Sequence, residues 1–109
     1  MKFYNEMPDM ECLQGDTLDV MEIIVSNLSD YTSPAMHVQI ETAAGSTVAV
    51  RKSCTATNTG FAVTLTSEDT ENLCGMYYID FILTSGGLYY KKLRGMLIVH
   101  PHTVGSDAA

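Results

Sequence analysis

The 109-residue chain has no tryptophan, only three cysteines, three prolines and six basic residues, and each shortage removes a class of protein. Cys12, Cys54 and Cys74 are odd in number, lie 42 and 20 residues apart and form no C-x-x-C pair. That spacing supports neither a disulfide framework nor a zinc knuckle. They read as free, mostly buried thiols of a reducing compartment. Six Lys and Arg against thirteen Asp and Glu give a net charge of −7. The chain therefore lacks the positive field that dominates affinity for nucleic acids and anionic lipids, so neither is expected as a partner. The apolar run Met96-Leu97-Ile98-Val99 is far too short to span a bilayer. Glu6 and Pro8 stand where a signal peptide would need its apolar stretch, so synthesis in the cytoplasm without a membrane address is expected.

What is present is apolar residues at period two. The chain is 46% hydrophobic, and area scaling gives roughly 6,000 Å² of folded surface against roughly 17,000 Å² unfolded, enough burial for one self-sufficient domain. Met36, Val38 and Ile40 alternate with His37, Gln39 and Glu41, which predicts a half-buried strand. Ala43-Ala44-Gly45-Ser46 turns it into a second strand near residues 47–51. From Thr17 to Val25 the alternation changes phase, which predicts a bulge or a strand covered on both sides. Residues 27–34 carry turn chemistry. Phe61, Val63 and Leu65 form another one-sided strand. Thr66 or Ser67 then caps one helical turn, with Glu68 and Asp69 at its positive end.

The last hairpin runs from Gly75 to His100. A three-residue loop of Ser85, Gly86 and Gly87 would set Leu93 opposite Ile79, Gly95 opposite Tyr77 and Lys91 opposite Phe81. The expected fold is all-β: an immunoglobulin-like sandwich of about six to eight short antiparallel strands with one helical turn at about 66–73. A single domain covers residues 1–104, with its core at about 13–100 and a flexible tail at 105–109.

Few residues point to chemistry. His100 and His102 form H-x-H, but Pro101 interrupts the strand and no third ligand has an obvious spacing, so no metal is expected. Glu68, Asp69 and Glu71 are explained by the helix dipole rather than by hydrolysis. Cys12 lies between Glu11 and Leu13 and Cys74 comes after an acidic helical turn, the wrong setting for a nucleophilic thiolate. Gly86-Gly87 lacks the lysine and helix of a phosphate loop. No catalytic residue and no cofactor are expected. An enzyme would require two of Asp16, Asp19, Glu22, His37 and His100 to converge in one pocket. The candidate interface is Tyr78, Tyr89, Tyr90, Lys91, Lys92 and Arg94: an aromatic band on the face opposite Tyr77, beside a small basic edge. The same tyrosines offer a sugar-stacking platform, so a carbohydrate-binding module is the alternative.

Two segments carry a resemblance. Residues 65–80 (Leu65-Thr66, Thr70, Leu73, Gly75, Tyr77, Asp80) resemble an L-T-x-x-x-T-x-x-L-x-x-G-x-Y-x-x-D stretch of variable spacing. Leu93, Gly95, Leu97 and Val99 are similar to a closing L-x-G-x-hydrophobic-x-V strand, and Gln14-Gly15-Asp16-Thr17 to an opening Q-G-D-T. These patterns resemble small immunoglobulin-like domains of phage and prophage structural proteins, among them the N-terminal domains of phage baseplate upper proteins. The resemblance runs from about Leu13 to Val104. It implies a tail, baseplate or fibre-attachment module that binds no cofactor, assembles with copies of itself or with other phage tail proteins, and is made in the bacterial host before entering the virion. No fibre region follows Val104, so the module is expected to stand alone.

Overall fold

The alternation of residues 36–41 yields the strand it predicts: Met36, Val38 and Ile40 are buried in β4 (Pro34–Thr42), with His37 and Gln39 between them on the opposite face. In the computed structural model of the chain, residues 2–3, 9–26, 28–45 and 47–101 are described; for 2, 3 and 89–91 the description is of strand pairing alone. The other strands are β1 (Lys2–Phe3), β2 (Met10–Leu13), β3 (Met21–Ile24), β5 (Val48–Ser53), β6 (Thr55–Ala56), β7 (Gly60–Val63), β8 (Gly75–Ser85) and β9 (Leu88–His100). They form two sheets, ordered β1-β3-β7-β6 and β2-β9-β8-β4-β5. Lettering β1, β3, β4, β6, β7, β8 and β9 as A to G gives the immunoglobulin order, ABED packed on CFG, with β5 and β2 widening the second sheet. The apolar faces meet in one core, with Met21, Ile23, Phe61 and Val63 from the first sheet and Val38, Ile40, Ile79, Phe81, Leu83, Leu97 and Val99 from the second.

Three strand-level expectations are corrected. Nine strands are described, and not all neighbours are antiparallel. β1 runs parallel to β3 and β2 parallel to β9, because the first two strands join opposite sheets. The strand expected from Thr17 is confined to Met21–Ile24; the phase change marks where it begins. Before it, the Leu18 N–H donates to the Leu65 carbonyl and Val20 is exposed.

The final hairpin turns through two residues, not three. Gly86 and Gly87 have φ of 59° and 84°, the type I′ requirement, and Ser85 faces Leu88. A one-residue irregularity at Leu83/Thr84 then sets Phe81 against Leu93, Ile79 against Gly95 and Tyr77 against Leu97. From Gly75 to Leu83 this is two residues from the expected register, so those β8 side chains and their described β9 partners keep their predicted faces while the pairing changes. Lys91 thereby pairs with Leu83 rather than Phe81.

Between β7 and β8 lies the helical turn α1 (Ser67–Thr70), within the expected stretch. Its first turn is closed by Asp69, whose Oδ2 accepts from the Thr66 N–H at 2.8 Å and from the Thr66 hydroxyl at 3.1 Å. The fully buried Thr70 donates its hydroxyl to the Asp16 carbonyl at 2.7 Å, tying α1 to the turn after β2. The Tyr77 hydroxyl accepts from the Cys74 N–H at 2.8 Å and donates to the Cys74 carbonyl at 3.2 Å, a tyrosine corner at the start of the F strand. The resemblance motif is thus made of residues that build the corner. The expected tail at 105–109 lies outside the described residues.

Candidate functional site

Because side chains alternate, the five-stranded sheet has an outer face opposite its core. Paired positions place on it Arg51 and Ser53 of β5; His37, Gln39 and Glu41 of β4; Met76, Tyr78, Asp80 and Ile82 of β8; Lys92, Arg94, Met96 and Ile98 of β9; and Glu11 and Leu13 of β2. Three of the six candidate interface residues, Tyr78, Lys92 and Arg94, lie here together. The side chains of Tyr89, Tyr90 and Lys91 lie outside the described residues; their backbone forms the start of β9.

At the centre of this face is a cluster that sequence reasoning missed. Asp80 is 1% exposed although it points away from the core. Arg94 covers it with two hydrogen bonds, Nε to Oδ1 at 2.7 Å and Nη2 to Oδ2 at 2.9 Å. The same Nη2 reaches Glu41 Oε1 at 2.6 Å, and the guanidinium carbon lies 4.2 Å from the Tyr78 ring centroid. This bidentate geometry is the strong form of the Arg–carboxylate pair, and the stack adds cation–π attraction. The hydrogen bond to Asp80 also pushes the Arg94 guanidinium further up from its already high range. Arg94 is therefore not part of an unpaired basic edge. One face of Tyr78 is occupied by the guanidinium, which is not the arrangement of an open sugar platform. Asp80 meets Arg94 only through the two-residue turn together with the irregularity at Leu83/Thr84; the assumed three-residue loop set Asp80 opposite Lys92 instead.

The other charged residues separate in the same way. Lys52 faces the core side at the sheet margin, where its ammonium donates to Asp69 Oδ2 at 2.8 Å and to the Thr64 carbonyl at 2.9 Å, bridging the two sheets. Burial raises Asp69, but the Lys52 ammonium and the Thr66 N–H and hydroxyl outweigh it and hold the carboxyl below its ordinary value. His37 approaches Arg51 Nη2 at 3.3 Å; partial burial, then the Arg51 charge, hold its imidazole below the usual range. His100 pairs with Glu11 at 2.8 Å, and His102 lies outside the described residues. Among the described residues no three His, Cys, Asp or Glu side chains gather as a metal site.

The thiols are less buried than expected. All three are free, but only Cys12 is buried, Cys54 is half-buried and Cys74 is exposed. Burial and then the nearby Asp16 raise Cys12, and burial alone pushes Cys54 to about 11, so neither is an activated thiolate. An open depression of about 530 Å³ at the β4–β5 end is lined by Thr42, Ala43, Ala44, Cys74, Met76 and Tyr77. None of Asp16, Asp19, Glu22, His37 or His100 is among them. No helix among the described residues is long and apolar enough to cross a membrane.

The class this architecture defines is an immunoglobulin-like sandwich with a tyrosine corner and a charge-clamped outer sheet face. No protein-family profile matches the chain, and no curated protein matches it in sequence. Among solved structures it is similar to the N-terminal domain of ORF48 of phage TP901-1, at 11% identity and a TM-score of 0.53 over 91% of this chain and 94% of that one. CopC from Methylosinus trichosporium OB3b is 17% identical with a TM-score of 0.43 over 62% of this chain, which spans 64% of the CopC chain. The ORF48 likeness agrees with the expected resemblance at the level of fold.

Proposed function

We propose that the chain is a non-enzymatic structural module of a phage or prophage particle, at the tail, baseplate or fibre attachment, acting by protein–protein assembly. The observation that carries this reading is the similarity of the whole fold to an N-terminal domain of a phage protein, covering 91% and 94% of the two chains. The ordered Q-G-D-T, L-T-x-x-x-T and L-x-G motifs support it, and so does an outer sheet face that exposes Met76 and Leu13 next to satisfied charge pairs. In this reading the chain is made in the host cytoplasm, carries no cofactor and ends in the particle, bound to copies of itself or to other tail proteins. The test is to purify particles from an induced host strain that encodes the chain, by density gradient, and to quantify its peptides by mass spectrometry. The chain is expected in the particle band at a fixed ratio to the tail proteins; its absence from intact particles overturns the proposal.

A further inference from the structure

The outer face of the five-stranded sheet differs in charge from the rest of the molecule. Its paired strand positions carry three carboxylates, Glu11, Glu41 and Asp80, and three cations, Arg51, Lys92 and Arg94. They sum to zero, so the whole net charge of −7 belongs to the remainder of the chain. Two copies meeting elsewhere would bring like charge together, whereas two copies meeting here would not. The neutral face also holds apolar side chains open to water: Met76 is 54% and Leu13 42% exposed.

Of the charges that Arg94 does not already bind, Arg51 on the edge strand β5 lies beside His37, while Lys92 and Glu11, the latter next to His100, are separated along the strands. Lys92 lies toward the β8–β9 turn, level with Ile82. Glu11 lies toward the other end, level with Ile98 and so near Met76. When two such faces stack about a two-fold axis lying across the strands, the strands of one copy run opposite to those of the other. Each Lys92 then sits over the partner's Glu11 end, and the Arg94–Tyr78 centres meet at the axis. Five strands at about 4.8 Å spacing and a β8 rise of about 3.3 Å per residue give a face of very roughly 800 Å², which is about what one partner contributes to a standard specific interface.

We infer that this face is a self-association surface on which a second copy of the chain docks, strands antiparallel, as an isologous dimer. This deepens the assembly role proposed above and rests on it.

The test is sedimentation equilibrium of the full chain at about 100 μM, above the weak end of the affinity range for interfaces of this size. Wild type is expected at twice the chain mass. Met76→Glu, at a solvent-exposed position, should be monomeric with an unchanged far-ultraviolet circular dichroism spectrum. Lys92→Glu should weaken the dimer at least tenfold, and adding Glu11→Lys to it should restore association. Asn58→Glu places the same charge in the exposed loop before β7 and should leave the dimer intact. A monomeric wild type, a dimer that survives Met76→Glu, or equal disruption by Asn58→Glu overturns the inference. A wild type that is monomeric in solution yet present in purified particles removes this surface and leaves the assembly role standing; a dimer absent from particles does the reverse.

Discussion

Replacing Arg94 by alanine would strip the only hydrogen-bond donors seen among the described residues on a carboxylate that is 1% exposed. Four contacts vanish together: two hydrogen bonds to Asp80, one to Glu41, and the stack on Tyr78. Removing one partner of a fully buried ion pair costs about 3–5 kcal/mol, while exposed pairs contribute no more than about 1. Here the carboxylate is buried but the arginine side chain is 40% exposed, so water can reach one side of the vacated site. The expected loss is about 3 kcal/mol, which for a domain of this size lowers Tm by roughly 12 °C. Denaturant titrations of wild type, Arg94→Ala, Asp80→Leu and Arg94→Leu/Asp80→Leu would measure it. The double replacement removes both the charge and the need for it, so it should be less destabilised than Arg94→Ala alone. An Arg94→Ala variant within about 0.5 kcal/mol of wild type, as at an ordinary surface site, would refute the reasoning.

Asp69→Asn removes the carboxylate that receives Lys52 and Thr66, and should cost about 1 kcal/mol at pH 7. Because the folded-state value of Asp69 is depressed, its contribution is present above about pH 4 and lost as pH falls through that depressed value. Urea titrations at pH 7 and pH 3 should show the gap between wild type and variant closing on acidification; a constant gap contradicts the assignment. Gly60→Ala would put a Cβ 1.8 Å from the Ile23 carbonyl oxygen across the β3–β7 pairing, and should destabilise by more than about 2 kcal/mol by thermal melting. A change in Tm of only a degree or two would show that the two strands separate freely. Native protein titrated with a thiol reagent should label Cys74 first and Cys54 far more slowly, with Cys12 reacting on unfolding. Equal native rates for all three would contradict the burial order.

Much of the sandwich was legible because its information is local. Alternation at Met36–Val38–Ile40 and at Phe61–Val63–Leu65 selects the buried face wherever the strand lies, and Gly86-Gly87 demands a turn of positive φ. The helical turn between β7 and β8 was equally visible, since Thr66 and Asp69 bond within three residues of each other. The same locality explains why the motif series described the fold rather than a catalytic apparatus: Leu65, Thr70, Leu73 and Tyr77 are all buried supports of the corner between β7 and β8.

What the sequence could not supply was partnership between distant strands. Glu41 lies 53 residues from Arg94 and Lys52 lies 17 from Asp69, and nothing in either segment names the other. The loop length at residues 85–87 was a local ambiguity whose cost was not local. One residue fewer in the turn, together with the irregularity beside it, moved Asp80 onto Arg94 and Phe81 off Lys91. By itself the sequence determined which face of each strand is apolar, because side-chain direction is fixed at period two within the strand. Only the tertiary structure decided which charges neutralise each other, because that depends on register across strands, and with it that the outer sheet face is neutral on an acidic molecule.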